Sequence, residues 1–379
     1  MKDSLHPCEG CPSNDSSFNT GQAYDPHTFT GRYLGPHLDL YAAYANKDGN
    51  RERISSGGIV TTVLQQCLEE SLVDGVALAR CAFENGDIGY RFSILTDPRE
   101  IPEYGSSAYF NIPIERHWKE LDQFDGKLAI CCLPCHCSLL RKRQESLHKS
   151  LHIRYIVSLF CGHNNEAELI RFVLRKESIP LSEVIDMQVK RHYLSGVLVF
   201  TLNDGRTREV DFRRFNVYRS LWFFSKNMCR QCDDHLGAQS DMSVGDIFTS
   251  RYRRLSPKRS AVVVRTGKGR ELMDQVIRSG KINYEKVPAE EIFASQKRVI
   301  VPSADLKSRY YALRWNGYAV KKGKYGRFRI RSFLTYTMLY FNDRLSQRKW
   351  GRKVIGVVPR PLLYGYIALI KLINHSLKP

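Results

Sequence analysis

Apolar residues fall in short runs that alternate with amphipathic stretches along most of the chain. Val73–Ala79, Lys127–Ile130, Ile153–Phe160 and Ala261–Arg265 are runs of strand length. Between them, Ile59, Val63 and Leu64 recur near helical spacing in a stretch that opens at Ser55 and runs to about Ser71. A polar helical stretch spans Leu139–His148, and Gly269–Arg278 reads as another helix. The succession Lys127–Ile130, helix, Ile153–Phe160 is a β-α-β unit, and its crossover makes the two strands parallel. Gly196–Leu202, the Asn203-Asp204-Gly205 turn and Arg206–Phe212 predict a β-hairpin. The fold class expected is α/β: a mixed, largely parallel sheet flanked by helices, with a basic helical extension at the C-terminus.

Composition narrows this picture without changing it. With 379 residues, 42% of them hydrophobic and 26% charged, the chain has enough apolar material for a core, which excludes a disordered or collagenous protein. The net charge of +19 is uneven: residues 306–379 hold seventeen lysines and arginines against one acid, Asp343, so residues 1–305 are nearly neutral. Three regions follow: a flexible lead-in at 1–30, a central region at 31–305 and the basic extension at 306–379. In the extension, aromatics such as Tyr310, Trp315, Tyr336 and Tyr340 interleave with Lys321, Lys322, Lys324, Arg327, Arg329 and Arg331. That mixture suits either nucleic-acid phosphates with stacked bases or an anionic lipid surface. The apolar run Pro361–Ile370, flanked by Arg360 and Lys371, is too short to span a bilayer and favours an interfacial helix over nucleic acid. The competing reading packs that helix on the protein's own core. The start of the chain lacks an apolar signal region, so the protein is expected in the cytoplasm, peripheral to the inner membrane face.

Eleven cysteines in a chain without an export signal point to metal or redox chemistry rather than a disulfide framework. Cys135 and Cys161 each fall just past the end of one of the two parallel strands, so both should project into the crevice at the strands' carboxyl ends. Cys229 and Cys232 have the two-residue spacer that lets one loop present two thiolates to one centre. Four such thiolates suit a structural zinc or a 4Fe-4S cluster, and spacing does not choose between them. Cys131, Cys132 and Cys137 are substitutes for Cys135, Cys67 and Cys81 read as buried apolar residues, and Cys8 with Cys11 is a second pair lacking partners nearby.

Ser55-Ser56-Gly57-Gly58 puts hydroxyls and glycines at a helix N-terminus, an arrangement that accepts anions but is also ordinary helix punctuation. Taken together with the Pro134-Cys135 turn, Phe160-Cys161-Gly162, Cys229–Asp233 and Ser240–Asp246, it resembles the coenzyme F420 hydrogenase/dehydrogenase beta subunit family over roughly residues 30–290. The resemblance implies an enzyme, a flavoprotein carrying FAD beside a 4Fe-4S cluster and exchanging electrons with a redox partner or a small-molecule donor. Position by position, it implies that Ser55, Ser56, Gly57, Gly58, Ser107 and Tyr109 bind the flavin and that Cys135, Cys161, Cys229 and Cys232 hold the cluster. Asp246 matches a further family position.

The chain departs from the family pattern at Cys132-Leu133 before Pro134, at His136 after Cys135, at Ala108 where a lysine is usual, and at Gly162-His163 and Phe248. Those are the positions that would shape a deazaflavin pocket, so the resemblance implies FAD and the cluster more directly than coenzyme F420. His136 and His163 flank the expected cluster, as proton carriers or as structural loop residues. Bacterial members of the family occur beside surface-polysaccharide enzymes, which adds polysaccharide biosynthesis to the expectations. The competing classes are a zinc-stapled nucleic-acid-binding protein and a non-redox accessory protein of polysaccharide assembly.

Overall fold

Strands predicted from the apolar runs form the middle of a large sheet in the computed structural model, which describes residues 29–46, 54–110, 112–146, 152–192, 195–320 and 327–375. Cys8, Cys11, Lys321, Lys322, Lys324 and most of the 1–30 lead-in lie outside them. The strands are β1 (Asp39–Ala45), β2 (Gly75–Glu84), β3 (Asp87–Leu95), β4 (Leu128–Cys132), β5 (Ile153–Leu159), β6 (Val184–His192), β7 (Ser195–Leu202), β8 (Thr207–Asp211), β9 (Met242–Asp246), β10 (Ser260–Val264) and β11 (Ile282–Lys286). Eight of them form one sheet in the order β11-β1-β10-β9-β5-β4-β2-β3. The central block β9-β5-β4-β2 is parallel, and the flanking pairs are antiparallel. Strands β6, β7 and β8 form a separate antiparallel sheet built on the expected hairpin.

Helices cover both faces of the large sheet, which explains why its central strands read as continuous apolar runs. Val63 and Leu64 of the helix Ile59–Glu69 pack with Val76, Tyr155, Val157, Val262 and Val264 on one face. On the other face, Cys137 and Leu140 of the helix Pro134–Ser146 pack with Ile130, Cys132 and Ile156. That second helix starts earlier than its apolar spacing predicts. Pro134 occupies its first turn, where the missing N–H costs nothing, so Cys135 and Cys137 stand on helix and not in a loop. Strand β9 is invisible to the hydrophobic pattern because Ser243 and Gly245 interrupt it. Ser243 is fully buried there and accepts a hydrogen bond from Arg265 Nε at 3.1 Å.

The basic extension is helical and is anchored in the same core as the small sheet. Its helices are Leu306–Trp315, Ile330–Ser346, Lys349–Val357 and Arg360–His375. Leu313, Tyr336, Tyr340, Ile355, Leu363 and Ile370 pack into one cluster with Phe172, Phe215, Leu221 and Phe224. Fully burying a side chain of this size contributes about 1.5–3 kcal/mol. The extension's single acid, Asp343, is buried in an ion pair with Arg230 Nε at 2.5 Å and accepts from Tyr318 Oη at 3.1 Å. Tyr310, Tyr336 and Tyr340 are buried too, so they are not available for stacking on bases. Among the described residues no single helix is long and apolar enough to cross a membrane.

Candidate functional site

Topology brings the four expected cysteines to one place. Cys135 stands in the first turn of Pro134–Ser146, directly after β4, and Cys161 follows β5, the parallel neighbour. Cys229 lies in the short 3-10 turn Asn227–Arg230, with Cys232 just beyond it. All four line one small cavity at the carboxyl ends of the parallel strands, together with His163 and His235. The loops that carry them are stitched to each other. Cys161 N donates to His235 O at 2.9 Å, and His235 Nδ1 donates back to Cys161 O at 2.7 Å. Asn164 N donates to Cys229 Sγ at 3.3 Å, and Lys226 N to Asn164 O at 3.0 Å.

Burial sets the electrostatics of this cavity. It pushes the Cys161 thiol up to about 11 and the Cys229 thiol up to about 12, against the partial relief of Arg219 and of the Asn164 amide. It also drives His235 down to about 4 and His163 well below the usual imidazole value, so both rings are neutral. With the Nδ1 proton of His235 committed to the Cys161 carbonyl, its Nε2 is a buried acceptor without a partner, and the Nε2 of His163 is likewise unpartnered. Orphaned polar atoms in a cavity ringed by sulfur mark a space shaped for a polar, thiophilic group. Among the described residues no three Cys, His, Asp or Glu side chains are arranged to hold a single metal ion.

A second, larger cavity of about 460 Å³ adjoins the first, and Cys161, His163, Asn164 and His235 line both. Ser55, Ser56, Gly58, Ser107, Tyr109, His136, Arg219 and Asp246 line the larger one. Gly58 precedes the helix Ile59–Glu69 with φ +79°, a left-handed conformation that suits glycine, and no side chain caps the first turn. The first-turn amides and Ser55–Ser56 therefore stand together at this end of the cavity, where the sequence reading expects an anion. Ser55 Oγ donates to Val189 O at 3.2 Å and accepts from Ser107 N at 3.4 Å, so the two predicted flavin segments are hydrogen-bonded to each other. Tyr109 is held at φ +57°, with the Arg219 guanidinium 5.4 Å from its ring centre. Gly57 does not line the cavity. A side chain there would meet Ala43 O and Ser260 N at 2.8 Å, so this glycine lets the loop pass against β1 and β10.

Several functional-site residues escape sequence reasoning. Arg309 is fully buried and donates to Cys232 O at 2.6 Å and Arg230 O at 2.7 Å, closing off the carbonyls of the Cys-x-x-Cys loop. Tyr340 Oη donates to Arg230 O as well, at 2.7 Å. Both residues sit in a segment whose charge suggests a solvated face. Asp234 accepts from the backbone amides of Leu236, Gly237 and Ala238 and fixes the turn after Cys232, and the acidic pair after the cysteines was the available signal. None of the three alternatives to Cys135 lines the four-cysteine cavity: Cys132 and Cys137 touch each other with 3.6 Å between sulfurs, and Cys131 lines the larger cavity.

With this geometry in hand, comparison with known proteins gives a consistent result. Two parts of the chain match the family described as coenzyme F420 hydrogenase/dehydrogenase, beta subunit: residues 40–118 match its N-terminal part, and residues 125–290 match its C-terminal part. The chain is 24% identical over 248 residues to the coenzyme F420-dependent sulfite reductase of Methanocaldococcus jannaschii, an alignment that takes in 61% of this chain and 36% of the relative's length. It is 22% identical over 266 residues to the coenzyme F420 hydrogenase subunit beta of Methanothermobacter thermautotrophicus, covering 68% and 87% of the two. A chain of the F420-reducing NiFe hydrogenase complex from Methanosarcina barkeri shares the fold, with a TM-score of 0.58 and 19% identity over 80% of this chain and 98% of that one.

Proposed function

The chain belongs to the coenzyme F420 hydrogenase/dehydrogenase beta subunit family, and on that footing we propose that it is an oxidoreductase using FAD beside a 4Fe-4S cluster. An oxidoreductase role accompanies the family. The finer reading is carried by one observation: the cavity ringed by four cysteines opens into a larger cavity lined by the serine-glycine loop and Ser107–Tyr109. When bound, a flavin supplies hydride chemistry, and an iron-sulfur cluster supplies transfer of single electrons.

In this reading Cys135, Cys161, Cys229 and Cys232 hold the cluster, and bound iron offsets the burial that pushes the Cys161 and Cys229 thiols up. Ser55, Ser56 and the first-turn amides beyond Gly58 take the dinucleotide's phosphates. Tyr109 and Arg219 offer a ring face and a cation to the rest of the cofactor. Neutral His163 and His235 exclude water from the space between the cavities without adding charge. The electron donor or acceptor is a small molecule or a redox partner, and the relatives' names make coenzyme F420 one member of the first class. The chain spans 36% of the sulfite reductase's length, so that protein's overall reaction is not carried across.

Anaerobic purification followed by iron, sulfide and flavin analysis tests the proposal. About four iron atoms, four sulfides and one FAD per chain are expected. A colourless protein carrying zinc would replace this reading with the zinc-stapled class. A coloured protein that neither chemical nor enzymatic donors reduce would favour the non-redox accessory class.

A further inference from the structure

We propose that the outer faces of the helices Lys349–Val357 and Arg360–His375 form a docking surface for an anionic lipid bilayer, on which the protein lies without spanning it. These helices are two-faced. Inwardly, Ile355, Leu363 and Ile370 are buried in the core, Arg360 pairs with Glu177, and Arg352 pairs with Glu168 at 3.4 Å, so the helices are held in place by the body. Outwardly they present apolar side chains where a soluble protein would carry polar ones. Trp350 is 56% exposed and Val357 78% exposed, and with Val354 they share one helix face at i, i+4 and i+7. Leu362 and Leu372 are 66% and 71% exposed and fall with Leu369 on one face of the next helix.

Charge identifies the occupant. Arg348, Lys349 and Lys353 are exposed around the apolar face of the first helix, Lys371 is exposed next to Leu372 on the second, and the only acid in residues 306–379, Asp343, is buried. A protein-protein interface core is depleted in lysine, whereas a helix lying at a bilayer surface combines apolar side chains with lysines and arginines that meet lipid phosphates. Length and shape determine how it lies. The second helix has 16 residues, short of the roughly 20 that cross a hydrocarbon core. The two helices also meet at a bend of 100°, so they do not join into one spanning rod.

Deleting everything beyond Asp305 would strip Tyr336, Tyr340 and Leu363 from the core and Arg309 from the cysteine loop, so the surface is tested by substitutions on its exposed side alone. The full chain should sediment with vesicles of phosphatidylcholine mixed with phosphatidylglycerol and not with pure phosphatidylcholine vesicles. The triple variant Leu362→Gln, Leu369→Gln, Leu372→Gln and the charge variant Lys349→Glu, Lys353→Glu, Lys371→Glu should each weaken vesicle binding by about tenfold or more. Unchanged thermal unfolding and size-exclusion profiles certify that each variant is folded. Failure of the parent chain to bind anionic vesicles overturns the proposal, as does binding that both variants retain. An oligomer that the leucine variant converts to monomer, without any vesicle binding by the parent, would assign the face to a protein interface instead. None of these outcomes depends on the cofactor content.

Discussion

Arg309 and Cys232 lie 77 positions apart and are joined by a 2.6 Å hydrogen bond from the Arg309 Nη1 to the Cys232 main-chain oxygen. The guanidinium is fully buried, and its other donors go to Arg230 O and Tyr340 Oη. One side chain thus saturates the carbonyls of a loop whose sulfurs face a cavity. Replacing Arg309 by Met should destabilise the fold by about 3 kcal/mol, since it leaves buried carbonyls without donors. Tyr340→Phe removes two hydrogen bonds, the one donated to Arg230 O and the one accepted from Arg309 Nε, and should cost about 1–2 kcal/mol. Thermal unfolding ranks the two, and the iron content of the Arg309 variant should fall with its stability. Equal melting temperatures for parent and Arg309→Met would contradict this account of the loop.

The cysteines separate into those that line the small cavity and those that do not. Single Ser substitutions at Cys135, Cys161, Cys229 or Cys232 should each leave less than about a quarter of the parent's iron. Cys132→Ser and Cys137→Ser, at the contacting pair outside that cavity, should keep it. Iron per chain after anaerobic purification is the measurement. Loss confined to Cys132 or Cys137 instead of Cys135 would reassign the fourth ligand.

Gly57 and Gly58 sit side by side in the sequence and face different constraints. Gly57→Ala places a methyl group 2.8 Å from the Ala43 carbonyl oxygen and the Ser260 amide, both backbone atoms, and should cost about 2–4 kcal/mol. Gly58→Ala strains a left-handed residue and should cost about 1–2 kcal/mol. Denaturant unfolding distinguishes them, and a Gly57 variant as stable as the parent would mean that the loop does not run against β1 as described.

Ser55 couples the two segments expected to bind the flavin, and Arg219 lies over Tyr109. Ser55→Ala should lower stability by only about 1 kcal/mol, yet weaken FAD binding by about tenfold, because the loop proposed to take the phosphates loses its tie to Ser107. Arg219→Leu should weaken FAD binding similarly, with Arg219→Lys intermediate. Fluorescence titration of flavin into the deflavinated chain reads both effects.

The legible part of this protein was the part where one residue type does one job. Buried strands such as Ala261–Arg265 and the β-α-β unit from β4 to β5 announce themselves because burial on both faces leaves an unbroken apolar run. The pair Cys135 and Cys161 could be placed at one crevice from strand order alone, whereas Cys229 and Cys232 were joined to them only by their two-residue spacer, and all four line one cavity. Strand β9 and the start of Pro134–Ser146 were not legible, because the buried Ser243 bonded to Arg265 breaks the apolar run of the strand, and the helix's first turn carries no apolar spacing to extend the pattern back to Pro134. Arg309, Tyr340 and Asp343 were hidden for a different reason. Charge density in residues 306–379 suggests water, and only the packed structure shows that some of those charges are interior.

Because Arg309, Tyr340 and Asp343 lie beyond residue 290, where the family match ends, the recognisable region of this chain is not self-sufficient. A fragment cut at that boundary would lack the donors that close the Cys229–Cys232 turn. Substitutions that loosen the packing of the tail would therefore be felt at the sulfur atoms of that turn as well.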